Sequence, residues 1–179
     1  MPDAAPCTFE SVSDPAQNSS VPQPHPHPLT VLTGTWVGSG RGRYPTISDF
    51  TYNERVVIAR SPKGFFTYQQ TTSHPETGYA MHAETGYLRV GETDGIELVI
   101  AQPSGVVEIH AGTFVQLDDG DTILNLAPVH VMTSPSAKPV AGVTRNFRLS
   151  GDALRYEVHM AAMGLALQFH LAATLSRQL

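Results

Sequence analysis

Histidine is the side chain best suited to hold a metal or pass a proton near neutral pH, and this chain has eight. His74 in "HPETG" and His82 in "HAETG" each have one glutamate nearby and no second histidine at helical spacing, so neither forms a zinc motif. His25 and His27 lie in "PHPHP", a solvated polyproline-like stretch offering at most weak metal contacts. His110, His130 and His159 fall on strand-like segments. His170, in "LQFHLAATL", stands apart. Strict alternation puts it on one face with Ala172 and Thr174, both small, which leaves room for a macrocycle. The same pattern also suits a core histidine hydrogen-bonded to backbone. No G-x-S-x-G elbow, Walker lysine or C-x-x-C-H occurs. The one cysteine, Cys7, cannot close an intrachain disulfide.

The elements that must position these groups read as strands. From Leu29 onward, segments rich in β-branched and aromatic residues ("FTYNERVVIAR", "GFFTYQQTTSH", "IELVIAQPSG") are broken by Gly-Asp, Asp-Gly and Pro-Ser-Gly joints typical of hairpin turns. Nine or ten short strands are predicted. "LALQFHLAATLSR" has helix-forming composition, but its alternation fits a closing strand. The fold class is therefore all-β: an antiparallel barrel of about ten strands. Closure removes the sheet edges, and a barrel this wide leaves an internal ligand pocket. Residues 1–28 are rich in Pro, Ser, Asp and Gln without apolar period and are expected to form a disordered tail before a barrel domain spanning 29–179.

"GTWVGSGRGRYPTI" (Gly34–Ile47) is not a phosphate cradle, since a strand and not a helix follows it. On a strand, Gly34, Trp36, Gly38, Gly40 and Gly42 share one face. Bare backbone there lets the barrel bend sharply, or lets a flat ligand or covering segment lie close. The net charge of −5 argues against nucleic acid, whose phosphates need a basic footprint. No apolar run approaches the roughly 18 residues of a membrane span, and no secretory signal is visible. A cytoplasmic protein is expected.

The stretch Gly34–Ile47 matches G-x-W-x-G-x-G-x-G-x-Y-P-T-I at every fixed position. That motif, with "MHAETGYLR" (Met81–Arg89) and "LQFHLAATLSR" (Leu167–Arg177), resembles the nitrobindins over roughly residues 29–179. The resemblance implies a ten-stranded barrel holding one ferric heme b in an open pocket. It further implies binding of nitric oxide at the iron and isomerisation of peroxynitrite to nitrate, and it leaves room for a homodimer. Carried over by position, His170 is the axial ligand and thus the metal site, while Met81, His82, Gln102 and Met160 line the pocket. Thr46 is a candidate for the heme edge. Lys138, Arg145 and Arg148 are propionate candidates by sequence proximity alone. A wall of Met81, Met160 and Leu165 would give bound ligands few hydrogen-bond donors, and no general acid–base residue beyond the iron is expected. A barrel of the fatty-acid-binding or lipocalin type, carrying a small apolar ligand or heme without catalysis, is the alternative; it accounts for the barrel but gives His170 no task.

Overall fold

The computed structural model describes residues 28–91 and 95–178. A short 3-10 helix, Pro28–Leu32, leads into ten strands: β1 (Gly34–Tyr44), β2 (Ile47–Arg60), β3 (Phe66–Ser73), β4 (Ala80–Val90), β5 (Gly95–Ala101), β6 (Val106–Gln116), β7 (Thr122–Thr133), β8 (Val140–Ser150), β9 (Ala153–Ala162) and β10 (Gln168–Gln178). Each strand pairs antiparallel with the next, and β1 pairs with β10, closing the barrel. The segment "LALQFHLAATLSR" is strand from Gln168, as its alternation predicts. The tail expected over 1–28, with Cys7, His25 and His27, lies outside the described residues apart from Pro28, the first residue of the 3-10 helix.

Alternation sorts the side chains. Along β2, Tyr52, Glu54 and Val56 are buried while Thr51, Asn53 and Arg55 are exposed. The inward positions form three levels. At one end Leu29, Leu32, Trp36, Phe66 and Leu175 pack into an apolar plug. The Trp36 indole donates to the Leu32 carbonyl at 2.9 Å, tying the entry helix to β1. Arg177 lies over the Trp36 ring at 4.1 Å, donates to the carbonyls of Val31 and Thr33, and pairs with Asp152. The middle level is polar, and the far end is an open cup.

The glycine face of β1 serves the second strand. A Cβ on Gly40 would lie 2.3 Å from Cζ of Tyr52, and one on Gly42 would lie 2.2 Å from Cζ of Phe50. Both rings of β2 rest against backbone that only glycine leaves bare.

Among the described residues regular pairing breaks five times, and each break lies toward the cup: between Gly42 and Tyr44, Thr72 and Ser73, Ile109 and His110, Val140 and Gly142, and Phe169 and Leu171. Bulges of this kind bend a strand and re-aim its side chains.

Candidate functional site

The cup encloses a cavity of about 450 Å³, within the range of small-molecule and cofactor sites. Ile47, Phe50, Val143, Val158 and Leu171 supply apolar wall, and Met81, Met160, His82, Gln102, Lys138 and His170 also line it.

His170 reaches this cavity by an irregularity. On β10 the inward face is Leu171, Ala173 and Leu175, and Thr174 is exposed. The expected grouping of His170 with Ala172 and Thr174 would therefore turn it outward. Phe169 pairs with His159 and Leu171 with Val158, so His170 is the extra residue of a bulge. That insertion brings both His170 and Leu171 to the cavity. Its Nδ1 lies 3.2 Å from the Arg43 carbonyl. A carbonyl can only accept, so Nδ1 carries the proton and Nε2 keeps the lone pair. Tyr44 backs the ring edge-on at 5.4 Å, and its hydroxyl bonds the Ala162 amide (2.7 Å) and carbonyl (3.0 Å). Burial lowers the basicity of His170 against the opposing pull of the Arg43 carbonyl; the charges of His82 and Arg145 lower it further. A neutral imidazole with its other nitrogen anchored to backbone is the form that ligates a metal.

Met81 and His82 are neighbours that a regular strand would point to opposite faces. Thr72 pairs with His82 and Ser73 with Ala80, which makes Met81 a bulge residue. Both side chains line the cavity. Gln102 and Met160 do as well, and Lys138 stands on the wall. Thr46 does not: it sits in the exposed β1–β2 turn, and Ile47 takes the wall position. Arg148 faces outward, its Nε 2.6 Å from Asp121, and has no part in the cavity. Leu165 also lies off the wall.

Beneath the cavity is a polar floor that the sequence reading missed. Arg145, 3% exposed, donates to Glu84 at 2.7 and 2.9 Å and to Glu108 at 2.9 Å twice. It is thus committed to two carboxylates and is not a free propionate partner. Burial pushes both glutamates up most strongly, but the Arg145 charge together with hydrogen bonds from Arg145, His82 (to Glu84) and His110 (to Glu108) outweighs it, holding Glu84 below its ordinary value and Glu108 at about 2. Gln102 donates to Glu84 and Glu108, His110 Nε2 donates to Glu108 at 2.7 Å, and His82 lies 3.4 Å from Glu84. Glu54 differs. It accepts from Gln70 at 2.5 Å and from the Tyr156 hydroxyl at 2.8 Å, with no cation in contact among the described residues, and burial pushes it up to about 7. The expected donor-poor pocket is therefore wrong: thioethers and apolar groups line the wall, but amides and charged groups line the floor. The signal was present in the phase of the strands, since Glu54, Glu84 and Glu108 all fall on inward positions.

The model of the THAP4-like, heme-binding beta-barrel domain matches residues 26–177. The chain belongs to this family. As a member of the heme-binding barrel family it is similar to a Nocardia farcinica protein named peroxynitrite isomerase, 41% identical over 167 residues, covering 89% of this chain and 99% of the relative. It is 43% identical over 150 residues to a Mycobacterium ulcerans protein named peroxynitrite isomerase 2, covering 84% and 92%. The crystal structure of Rv2717c from M. tuberculosis superposes with a TM-score of 0.81 at 44% identity, covering 84% of this chain and 95% of that one. The nitrobindin resemblance and the ten-stranded barrel expectation both hold. No helix among the described residues is long and apolar enough to cross a membrane.

Proposed function

We propose that this chain is a cytoplasmic ferric heme b protein, one heme per chain, that isomerises peroxynitrite to nitrate and binds nitric oxide at the iron, with His170 as axial ligand. The observation that carries the reading is the bulged His170, whose anchored Nδ1 leaves Nε2 for a metal at the wall of an open cavity. The names of the Nocardia and Mycobacterium relatives support the reaction.

The donor set suits a heme: one neutral imidazole, two thioethers, apolar wall residues and a lysine. A heme held there would supply a Lewis-acidic iron able to polarise peroxynitrite and weaken its O–O bond. Around it, Arg43 and Tyr44 fix the His170 ring. Lys138 offers a charge to a carboxylate. Phe50, Val158 and Leu171 make the wall apolar, and would exclude water from a small anion bound there. Arg145 pairs with both Glu84 and Glu108, so its single positive charge offsets one of their two negative charges and holds both carboxylates in fixed positions. An apolar-ligand carrier fits this cavity poorly, because its inner wall presents Gln70, Glu84, Gln102 and Glu108 where an alkyl chain would lie.

Hemin titration tests the assignment. The full chain should develop a sharp Soret band, and His170→Ala should weaken hemin binding more than about tenfold while leaving the thermal melt of the protein without hemin in place. An unchanged spectrum in that variant removes the axial role. Peroxynitrite decay no faster than with free hemin leaves a heme carrier and removes the isomerase.

A further inference from the structure

Six tyrosines occur in the chain, and two are joined in a way that the reading above does not use. Tyr52 lines the cavity, although only 2% of it is exposed. Its hydroxyl lies 3.1 Å from that of Tyr156, which is also buried. Tyr156 has one proton to give. Its hydroxyl lies 2.8 Å from Glu54 Oε2, the strongest acceptor within reach, so the proton points there. Tyr156 must then accept from Tyr52, and from Gln70 Nε2 at 3.0 Å. The result is a one-way chain from the cavity wall to a carboxyl: Tyr52 to Tyr156 to Glu54. Gly40 and the tilted rings of Phe50 (6.0 Å) and Phe147 (5.6 Å) hold the two phenols in place.

Burial disfavours the phenolate of both tyrosines, so neither loses a proton to solvent at neutral pH. One-electron oxidation of a phenol is feasible only if the proton leaves with the electron, and this chain supplies the acceptor. We propose that Tyr52, backed by Tyr156 and Glu54, is an internal trap for nitrogen dioxide that escapes recombination in the pocket, and so a site of self-nitration. The inference rests on the peroxynitrite reading, since O–O homolysis of peroxynitrite is the source of that radical. In the first step nitrogen dioxide takes one electron from the phenol and leaves as nitrite. The Tyr52 proton passes to the Tyr156 oxygen as the Tyr156 proton passes to the Glu54 carboxylate. The products are a neutral tyrosyl radical on Tyr52, a protonated Glu54 and nitrite, with the net charge of −1 preserved. A second nitrogen dioxide then adds at the ring carbon beside the phenol oxygen, and the hydrogen displaced there returns to the oxygen, giving 3-nitrotyrosine.

Because burial raises Glu54 to about 7, the acceptor is ionised in part of the molecules at neutral pH. The groups around it are Gln70, Tyr52 and Tyr156 in contact or one bond away, with Tyr68, Glu84 and Arg145 acting through space. Nitration of Tyr52 should therefore rise with pH through neutrality.

The test exposes the heme-loaded full chain to a slow generator of peroxynitrite, follows peroxynitrite decay in the same sample, and locates nitrotyrosine by peptide sequencing in a mass spectrometer. Tyr79 and Tyr87, 77% and 50% exposed, are internal controls for attack from bulk solvent. Expected is at least fivefold more nitration at Tyr52 than at either control. Tyr52→Phe should remove it from the Tyr44–Arg55 peptide, and Glu54→Gln should lower it at least fivefold and flatten its pH profile. Accelerated decay with nitration confined to Tyr79 and Tyr87 overturns the trap and leaves the isomerase intact. Nitration of Tyr52 that is indifferent to Glu54→Gln overturns the relay. Decay no faster than with free hemin overturns the peroxynitrite reading and the trap with it.

Discussion

The two ends of the barrel are built from the same ten strands, yet they obey different rules. At the plug end pairing is regular, the inward positions include Trp, Phe and Leu, and the side chains leave only a void of about 20 Å³. At the cup end the register breaks five times among the described residues, and His and Met from the strands, with Gln102 and Lys138 from loops, surround a cavity of about 450 Å³. Between them lies one level of buried charge that belongs to neither. The lesson is a division of labour along each strand: one half holds the fold, the other holds the ligand, and the polar level separates them.

Breaking the plug should cost most in stability and least in binding. Trp36→Ala removes a fully buried indole and its bond to Leu32; a loss of about 3–5 kcal/mol is expected, read by urea denaturation, with hemin still bound at His170. Loss of the Soret band in a folded Trp36→Ala protein would show that the ends are not independent. Arg145→Leu should cost a similar amount, about 3–5 kcal/mol, because Glu84 and Glu108 would be left buried without their cation. Adding Glu84→Gln and Glu108→Gln should recover part of it in the same assay.

The two kinds of floor carboxyl should separate by pH. Glu54 sits near 7 when folded against an ordinary 4.5, so between those values the folded state holds a proton that the unfolded state has lost. Stability from this group is full below about 4.5 and falls as pH rises toward 7, by on the order of 3 kcal/mol. Glu54→Gln should abolish that slope in a pH series of denaturation midpoints. Glu108, held at about 2, has the opposite sign: its contribution is present above 4.5 and is lost as pH falls toward 2. Smallest is Gly40→Ala. The added methyl would meet the Tyr52 ring at 2.3 Å, with an expected cost of about 1–3 kcal/mol. Tyr52→Leu in the same chain should relieve it, measurable as a double-mutant cycle.

Much of this was legible beforehand. Turn chemistry marked the strands, and the G-x-W-x-G-x-G face marked β1, because both are set by local backbone preference. His170, Met81, His82, Gln102 and Met160 all line the cavity. The side of β10 that His170 faces was not legible. Alternation predicts a face only while register is unbroken, and the bulge depends on how β9 meets β10, which residue types in β10 do not encode. Arg145 and Arg148 show the converse. They are three apart on one strand, so one must point in and the other out; sequence proximity grouped them, and the period of two separates them. The buried glutamates could have been found the same way, since a charge in the inward phase of an alternating strand has to find a partner inside.

His170 does not belong to the repeat of its own strand; it is an insertion into it. Removing a single residue at that point would let Phe169 and Leu171 follow one another in ordinary register and erase the imidazole from the interior without disturbing the hoop of strands around it. A hollow shell without a histidine at that wall is thus one codon deletion away from this protein, and the reverse step, one codon gained at the rim of an empty shell, is as short a route as a fold could have to placing an imidazole inside it.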